Sequence, residues 1–429
     1  SQPAVSQGPD VTVLLLGSGG REHALAWKLA RSPRLKNLFA APGSDAIAAW
    51  AQNVALDPTD PAAVVSAAKD LHAKLVFIGP EAPLAAGVAD ALRAAGIPVF
   101  GPDRKGAQLE ASKAYSKDFM GRHKIPTARW ETFTDPQRAR AAVEAMRLPL
   151  VIKADGLAAG KGVVICKDTN QALGTVTEFM EHGAMGSAGK TLIVERYLEG
   201  PELSALALLD GKTCKLLPYA RDHKRLKDHD EGPNTGGMGA CAPVAVDGPL
   251  QSAIDSVMAK ILAGLRADGI DYRGVLYVGF ILTKDGPQVL EFNCRFGDPE
   301  AQAVLPLLKS DLITLALACA EGKLSETEVG SLPGACVCVT LASEGYPAAP
   351  LTGRAVSGLE SVKDALVFHA GTKKTEAGWT TTGGRVLGVT ALGADLTEAR
   401  RKAYAAVKKI HFEGMQCRSD IGGVEALSK

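Results

Sequence analysis

The sequence predicts a multi-domain α/β protein, on three observations. A chain of 429 residues exceeds what one hydrophobic core supports and divides into about two to four domains. Its N-terminal part alternates short apolar runs (11–16, 75–78, 99–100) with helix-length segments, the pattern of a doubly wound parallel sheet with ligand loops at the strands' carboxyl ends. Further along, apolar runs separated by Asp-Gly or by glycine-rich loops read as antiparallel hairpins. These divisions suggest an N-terminal domain over 11–107, a central domain over 108–330 and a smaller domain over 331–429.

Composition narrows the function classes. The 48 basic and 47 acidic residues leave a formal charge of +1, which argues against a broad nucleic-acid or membrane-surface footprint. No apolar run approaches the roughly 20 residues of a membrane span. The 8 cysteines are scattered, and the one close pair, Cys336 and Cys338, falls on alternate positions of an apolar strand. That is the place of core thiols, not of zinc ligands or a disulfide framework, and it fits a reducing compartment. The cytoplasm is expected, with an organelle such as a plastid as the alternative. The first ten residues read as a disordered leader, either a tag remnant or the trace of a trimmed targeting peptide.

Taken in order, the first strand (11–16) runs into Gly17-Ser-Gly19-Gly20 and a helix, a turn whose free amides, Gly19 among them, would attract an anion. A dinucleotide fingerprint would need a third glycine at Glu22, so an NAD site is disfavoured. Glu81 stands at the carboxyl end of strand 75–78, where it either binds sugar hydroxyls or caps the next helix. Helix 111–120 follows, then a strand carrying Lys153 and a glycine-rich loop ending Lys161-Gly162 before a partner strand at 163–166. Two strands bridged by such a loop, with a lysine at each side, form a phosphate clamp. Beyond Glu195, Arg196, Tyr197, Leu198 and Glu202, an alternating strand is expected at 203–209. The polar run Arg221-Asp222-His223-Lys224-Arg225 then feeds Gly232-Pro-Asn234-Thr235-Gly-Gly-Met-Gly239, read as a mobile loop that closes over a site.

The stretch LEFNCRFGDPE (290–300) organises the rest. As the returning strand of a hairpin with 276–282, it places Leu290 and Phe292 toward a core and Glu291 and Asn293 on the opposite face. A carboxylate beside an amide oxygen, followed by Arg295 and Asp298, suits Mg²⁺ and an anion. Strands are expected at 335–342, 367–372 and 385–391 and a helix at 396–410; Arg385 begins its strand facing solvent or the cleft.

GSGGREHALAWKL, GPEAPLAAGV, AQLEASKAYSKDFM, VIKADGLAAGKGVV, GPNTGGMGA, LEFNCRFGDPE, FHAGT and GGRVL together closely resemble the glycinamide ribonucleotide synthetase (phosphoribosylamine–glycine ligase) family, from about residue 11 to 422. The resemblance implies an ATP-grasp fold with a small β-rich lid near 127–195. It implies the second step of purine biosynthesis, joining glycine to 5-phosphoribosylamine with ATP and Mg²⁺ or Mn²⁺, by a monomer without nucleic-acid or membrane partners. It further implies that Lys113, Lys153, Lys161 and Gly162 meet the ATP phosphates and that Glu195, Arg196, Tyr197 and Leu198 meet adenine. Glu202 would hold the ribose of ATP, with Arg225 and Asn234 lining the same pocket. Glu291 and Asn293 would hold the metal. Arg295, Asp298, Asp222 and Lys224 would stand near glycine and its acyl phosphate. On the ribotide side it implies Gly19, Glu81 at the ribose and Arg385 at the phosphate. Four departures stand out: Ser44-Asp45 where the family has Asn-Ala, Cys241 in place of tyrosine, Gly423 in place of a bulky residue, and no carboxylate on the strand paired with Glu291.

Overall fold

The computed structural model describes residues 10–156 and 162–423. The N-terminal sheet has five parallel strands in the order Gln52–Asn53, Leu35–Pro42, Val11–Gly17, Leu75–Ile78, Val99–Phe100. Val11–Gly17 is buried along its whole length, because a parallel sheet is covered on both faces. Val13 and Leu15 pack toward helices Gly20–Ala30 and Leu312–Glu321, whereas Leu14 and Leu16 pack toward Pro61–Asp70 and Val88–Ala94.

A second sheet, antiparallel, has the order Cys214–Leu216, Glu202–Asp210, Arg273–Thr283, Gly286–Asn293. The expected alternation at 203–209 is not realised. Leu206 and Leu208 are buried on the side of Leu312–Glu321, and Leu203, Ala205, Ala207 and Leu209 on the side of Gly248–Ala267. A strand sandwiched between helices needs apolar residues on both faces, so polarity gives no period there. A separate four-stranded sheet, Trp130–Phe133, Leu192–Arg196, Leu150–Ala154 and Val163–Cys166, has its own small core with helices Pro136–Ala145 and Thr169–Val176.

The C-terminal sheet recruits strands from the middle of the chain. Its order is Arg221–Asp222, Gly239–Ala242, Ala335–Ala342, Arg385–Gly393, Leu366–His369, covered by helix Leu396–Val407. Cys336 and Cys338 are buried free thiols in it. The strand expected at 367–372 is broken: Leu366–His369 ends, and Thr372–Thr375 begins a separate hairpin with Gly378–Thr381. The chain turns at Gly371, where a Cβ would lie 2.7 Å from the Cα of Gly383. The helix also ends three residues short of the expected 410, at Val407. Among the described residues no helix is long and apolar enough to cross a membrane.

Helix Gly20–Ala30 of the N-terminal domain meets strand Leu366–His369 of the C-terminal sheet at two histidines. The His369 backbone N–H donates to Nδ1 of His23 at 2.8 Å, and both side chains are buried. Burial, aided at His23 by His369, lowers the two imidazoles to about 3 and about 4 respectively. Both folded values lie below the unfolded value of about 6.5, so the unfolded chain binds protons first as pH falls. The stability from keeping them neutral is therefore complete above about pH 6.5 and drains away as pH drops toward 4. Urea unfolding between pH 7.5 and 5 should show this loss in the wild type and a shallower slope in His23→Gln. Equal slopes would remove these residues as the cause.

Candidate functional site

The loop after strand Gly286–Asn293 is plugged into the N-terminal domain by Phe296. Its ring lies 6.1 Å from both Phe77 and Phe100, which are themselves stacked at 4.4 Å. This apolar anchor fixes the polar residues on either side of it. Upstream, the strand carries a β-bulge: Gly279 pairs with Glu291 but Phe280 with Val289. Leu290 is the extra residue, and the inward positions are Val289 and Phe292. The expectation that Leu290 faces the core is thus corrected, since a bulge resets the alternation. Glu291 and Asn293 still share a face, and the Leu290 carbonyl accepts from Lys153 Nζ at 3.5 Å.

Cations converge on this face. Lys224 Nζ lies 3.2 Å from Glu291 Oε1 and holds that carboxyl down to about 2 against the effect of burial. Lys153 also acts on Glu291, and Lys113 is close enough to feel both Glu291 and Lys153. Burial pulls the Lys113 amine below its ordinary range, although Glu291 works the other way. Lys113 Nζ donates to the Gly156 carbonyl at 3.1 Å. Asp155 Oδ1 accepts from Ser112 Oγ, Ala114 N and Gly156 N, binding the base of the glycine-rich loop to the start of helix Lys113–Arg122. Gly162 is buried at the far side, its carbonyl accepting from Ala154 N at 2.7 Å. Lys161 lies outside the described residues.

Glu195 is buried and its carboxylate is paired with both Lys117, at 2.5 Å, and Lys153. Its side chain is thereby occupied in placing a lysine, which leaves exposed Arg196 and Tyr197 and half-buried Leu198 as the accessible part of that segment. Glu202 opens strand Glu202–Asp210, where burial raises its carboxyl and Lys224 opposes the rise. Arg225 and Asn234 are directly paired in a small exposed hairpin.

Just past the carboxyl end of Glu291's strand, Arg295 Nη2 meets Glu110 Oε2 at 3.0 Å and Nε lies 3.4 Å from Glu81 Oε2. Burial opposes the Arg295 charge, but Glu110 and Glu81 raise its pKa above its ordinary range. Glu110 also accepts from Cys294 N at 2.8 Å and, with the amide of Asn293 oriented to satisfy both ends, from Asn293 Nδ2 at 3.2 Å. Burial raises Glu110. Glu110 was not predicted, because a glutamate near the end of a helix reads as solvated surface. Its role comes from the Asn293 amide, the Cys294 backbone N–H and the guanidinium of Arg295, 183, 184 and 185 residues later.

Two expectations change. The Gly19 N–H is taken by Glu22 Oε1 at 3.0 Å, and a Cβ at Gly17 would fall 2.3 Å from Glu22 Cγ. The glycines there make room for a buried glutamate that caps its own helix, so Gly19 offers no free amide to an anion. The loop around Gly236 is likewise not free. Arg385 Nη1 donates to the carbonyls of Gly236, at 2.9 Å, and Asp298, at 3.0 Å, and Gly236 N donates to Tyr346 Oη. Gly237 has φ +125°, and a Cβ there would meet Pro299 at 2.4 Å. The glycines permit close packing, and Arg385 ties this loop to the Asp298 turn. Asp298 Oδ1 also accepts from Gln302 Nε2 at 2.8 Å. Asp222 and Glu300 are buried near one another, and burial, with Asp222, raises the Glu300 carboxyl well above its usual range. His223 is buried and shifted down, first by burial and then by Arg418.

The donor set suits a divalent cation only in part. Glu291 is an ionised carboxylate beside the Asn293 amide, but among the described residues no three His, Cys, Asp or Glu side chains are grouped to enclose a metal. Such a site fits a hard cation that keeps waters and shares phosphate oxygens.

Three family descriptions match this chain: phosphoribosylglycinamide synthetase N domain over residues 11–110, its ATP-grasp (A) domain over 111–301 and its C domain over 336–424. The phosphoribosylamine–glycine ligase of Caulobacter vibrioides is 47% identical over 418 residues, covering 96% of this chain and 98% of that protein. The trifunctional purine biosynthetic protein adenosine-3 of Gallus gallus is 49% identical, and there this chain spans 42% of the relative's length. A crystal structure of phosphoribosylamine–glycine ligase from Thermotoga maritima superimposes with a TM-score of 0.86 at 34% identity, covering 96% of this chain and all of that one. The biotin carboxylase domain of a Hydrogenobacter thermophilus carboxylase shares the fold, with a TM-score of 0.73 at 17% identity.

Proposed function

Since the chain belongs to the phosphoribosylglycinamide synthetase family, we propose that the site around Glu291 joins glycine to 5-phosphoribosylamine at the expense of ATP, giving glycinamide ribonucleotide, ADP and phosphate. The observation that carries the reading is the gathering of Lys113, Lys153 and Lys224 about Glu291, with Arg295 two residues beyond Asn293.

A carboxylate does not form an amide in water because oxide is a poor leaving group. The glycine carboxylate attacks the γ-phosphorus of ATP, ADP leaves, and the amine of phosphoribosylamine then displaces phosphate from glycyl phosphate. Phosphoryl transfer asks mainly for positioning and charge neutralisation. Lys113 and Lys153 meet the phosphates, Lys153 steered by Glu195 and the Leu290 carbonyl. Glu291 and Asn293 would hold Mg²⁺ or Mn²⁺, which when bound neutralises phosphate charge. Arg295, held by Glu110 and Glu81, faces the glycine carboxylate, with Lys224, Asp222 and Asp298 alongside. Arg196 to Leu198, Glu202, Arg225 and Asn234 line the nucleoside side. Arg385 acts on the ribotide side by bracing the Gly236 loop. No side-chain nucleophile takes part.

Glycine carrying heavy oxygen in its carboxylate should deliver one labelled atom to inorganic phosphate per turnover. Label in AMP with release of pyrophosphate would mean adenylation, and unlabelled phosphate accompanying product would defeat the glycyl phosphate route.

A further inference from the structure

The hairpin that carries Arg225 and Asn234 has no core of its own. Among the described residues, strands Arg225–Lys227 and Glu231–Asn234 pair only with each other, and residues 231–234 are exposed throughout. A lone two-stranded hairpin is marginal in water. Its turn is costlier still, because His229 and Asp230 adopt φ of +60° and +56°, a region unfavourable to residues other than glycine.

What holds it is the segment Arg418–Asp420 of the C-terminal domain, a polar motif that the reaction itself does not use. Arg418 is only 1% exposed. Its Nε and Nη2 form a fork on Asp420, at 2.8 and 2.7 Å, while Nη1 reaches across to Asp230 Oδ1 at 2.9 Å and the Arg225 carbonyl at 3.2 Å. Ser419 N donates to Asp228 Oδ1 at 2.7 Å, Ser419 Oγ donates to the same carboxylate, and His229 N donates to Asp420 Oδ2 at 3.1 Å. Every residue of the turn from Asp228 to Asp230 is thus gripped by the C-terminal segment. The hairpin's two ends lie next to the site: Lys224 precedes it, and Thr235, which follows it, donates both N–H and Oγ–H to the Lys224 carbonyl at 2.7 Å.

We propose that Arg418 is a positioning residue for the nucleotide: it fastens the 225–234 hairpin to the C-terminal domain and thereby sets Arg225, Asn234 and the backbone of Lys224 in place for ATP. This rests on the nucleotide pocket assigned above. Only a guanidinium can serve, since an ammonium cannot span Asp420, Asp230 and a carbonyl together.

The test uses the full chain with Arg418→Met, Arg418→Lys and Asp230→Ala, measuring kcat, separate KM values for ATP and glycine, and Tm. In Arg418→Met the KM for ATP should rise about tenfold or more, the scale of a misplaced contact, while the KM for glycine stays within about twofold. Arg418→Lys should recover only part of the loss. Asp230→Ala, which removes an exposed end of the grip at a position with φ +56°, should raise the KM for ATP about threefold with a smaller fall in Tm than Arg418→Met. An unchanged KM for ATP in the Arg418→Met and Asp230→Ala variants overturns the proposal. A proportional rise for ATP and glycine with a fall in Tm does so too, because that pattern reports loss of fold. If Arg418→Met does not fold, the Asp230→Ala result decides alone. Failure of the underlying assignment would show elsewhere, as wild-type chain that releases no glycine-dependent ADP.

Discussion

Glu291→Ala is expected to lower kcat/KM for ATP by at least about a hundredfold, the scale of losing one charge contact made in the transition state. Glu291 is the acceptor of the Lys224 amine at 3.2 Å, and the charge that Lys113 and Lys153 both feel. Without it Lys224 loses the carboxylate it pairs with, Lys113 and Lys153 lose a shared counter-charge, and the face loses the ionised candidate ligand for a hard cation. The fold should survive, because Glu291 is half-exposed and opposite Gly279. Steady-state rates across a Mg²⁺ titration, with Tm as control, check this. Wild-type turnover with an unchanged Mg²⁺ dependence would take this strand out of the site.

How much of this arrangement could be read from the sequence depends on whether the signal is local. The Glu291–Asn293 strand, the Lys153 strand and the opening parallel sheet each have their period or turn chemistry within a few residues, and the structure has those elements. The Leu290 bulge left no mark, since one extra residue in an apolar stretch changes no composition. The glycines at Gly17 and around Gly236 were misread for one reason in both places: glycine permits a free backbone and close packing alike, and the partners that decide, Glu22 and Pro299, are visible only in three dimensions. Glu110 and Arg418 were missed because their importance lies in partners far along the chain. The C-terminal sheet escaped because two of its strands, Arg221–Asp222 and Gly239–Ala242, come from a stretch whose charge and glycine content look like loop.

Glu195→Gln should damage both stability and ATP use. Glu195 belongs to strand Leu192–Arg196 of the small sheet, which has its own core. Lys117, on helix Lys113–Arg122, reaches it at 2.5 Å and also donates to Thr127 Oγ1 at 2.8 Å, and Thr127 in turn donates to the Val289 carbonyl at 2.7 Å. The ion pair therefore stitches the small sheet to the strand that bears Glu291. Burial already lowers Lys117 to about 8 even with Glu195 supporting its charge. Glutamine leaves buried Lys117 facing partly buried Lys153 with no carboxylate between them, and breaking a buried pair on one side costs about 3–5 kcal/mol. Lys153, no longer steered, loses its approach to the Leu290 carbonyl, so the KM for ATP should climb as well. Lys117→Met is expected to be mild, because the Glu195–Lys153 pair remains neutral. The double variant Lys117→Met/Glu195→Gln should regain most of the stability lost in Glu195→Gln, since only Lys153 is then left and it borders the cleft. Its ATP affinity should stay impaired, because the carboxylate that steers Lys153 is still missing. Urea titrations of all four chains, with ATP kinetics on each, separate the two effects. Wild-type unfolding by Glu195→Gln would show that Glu195 does not tie the small sheet down, and full recovery of ATP kinetics in the double variant would show that it does not place Lys153.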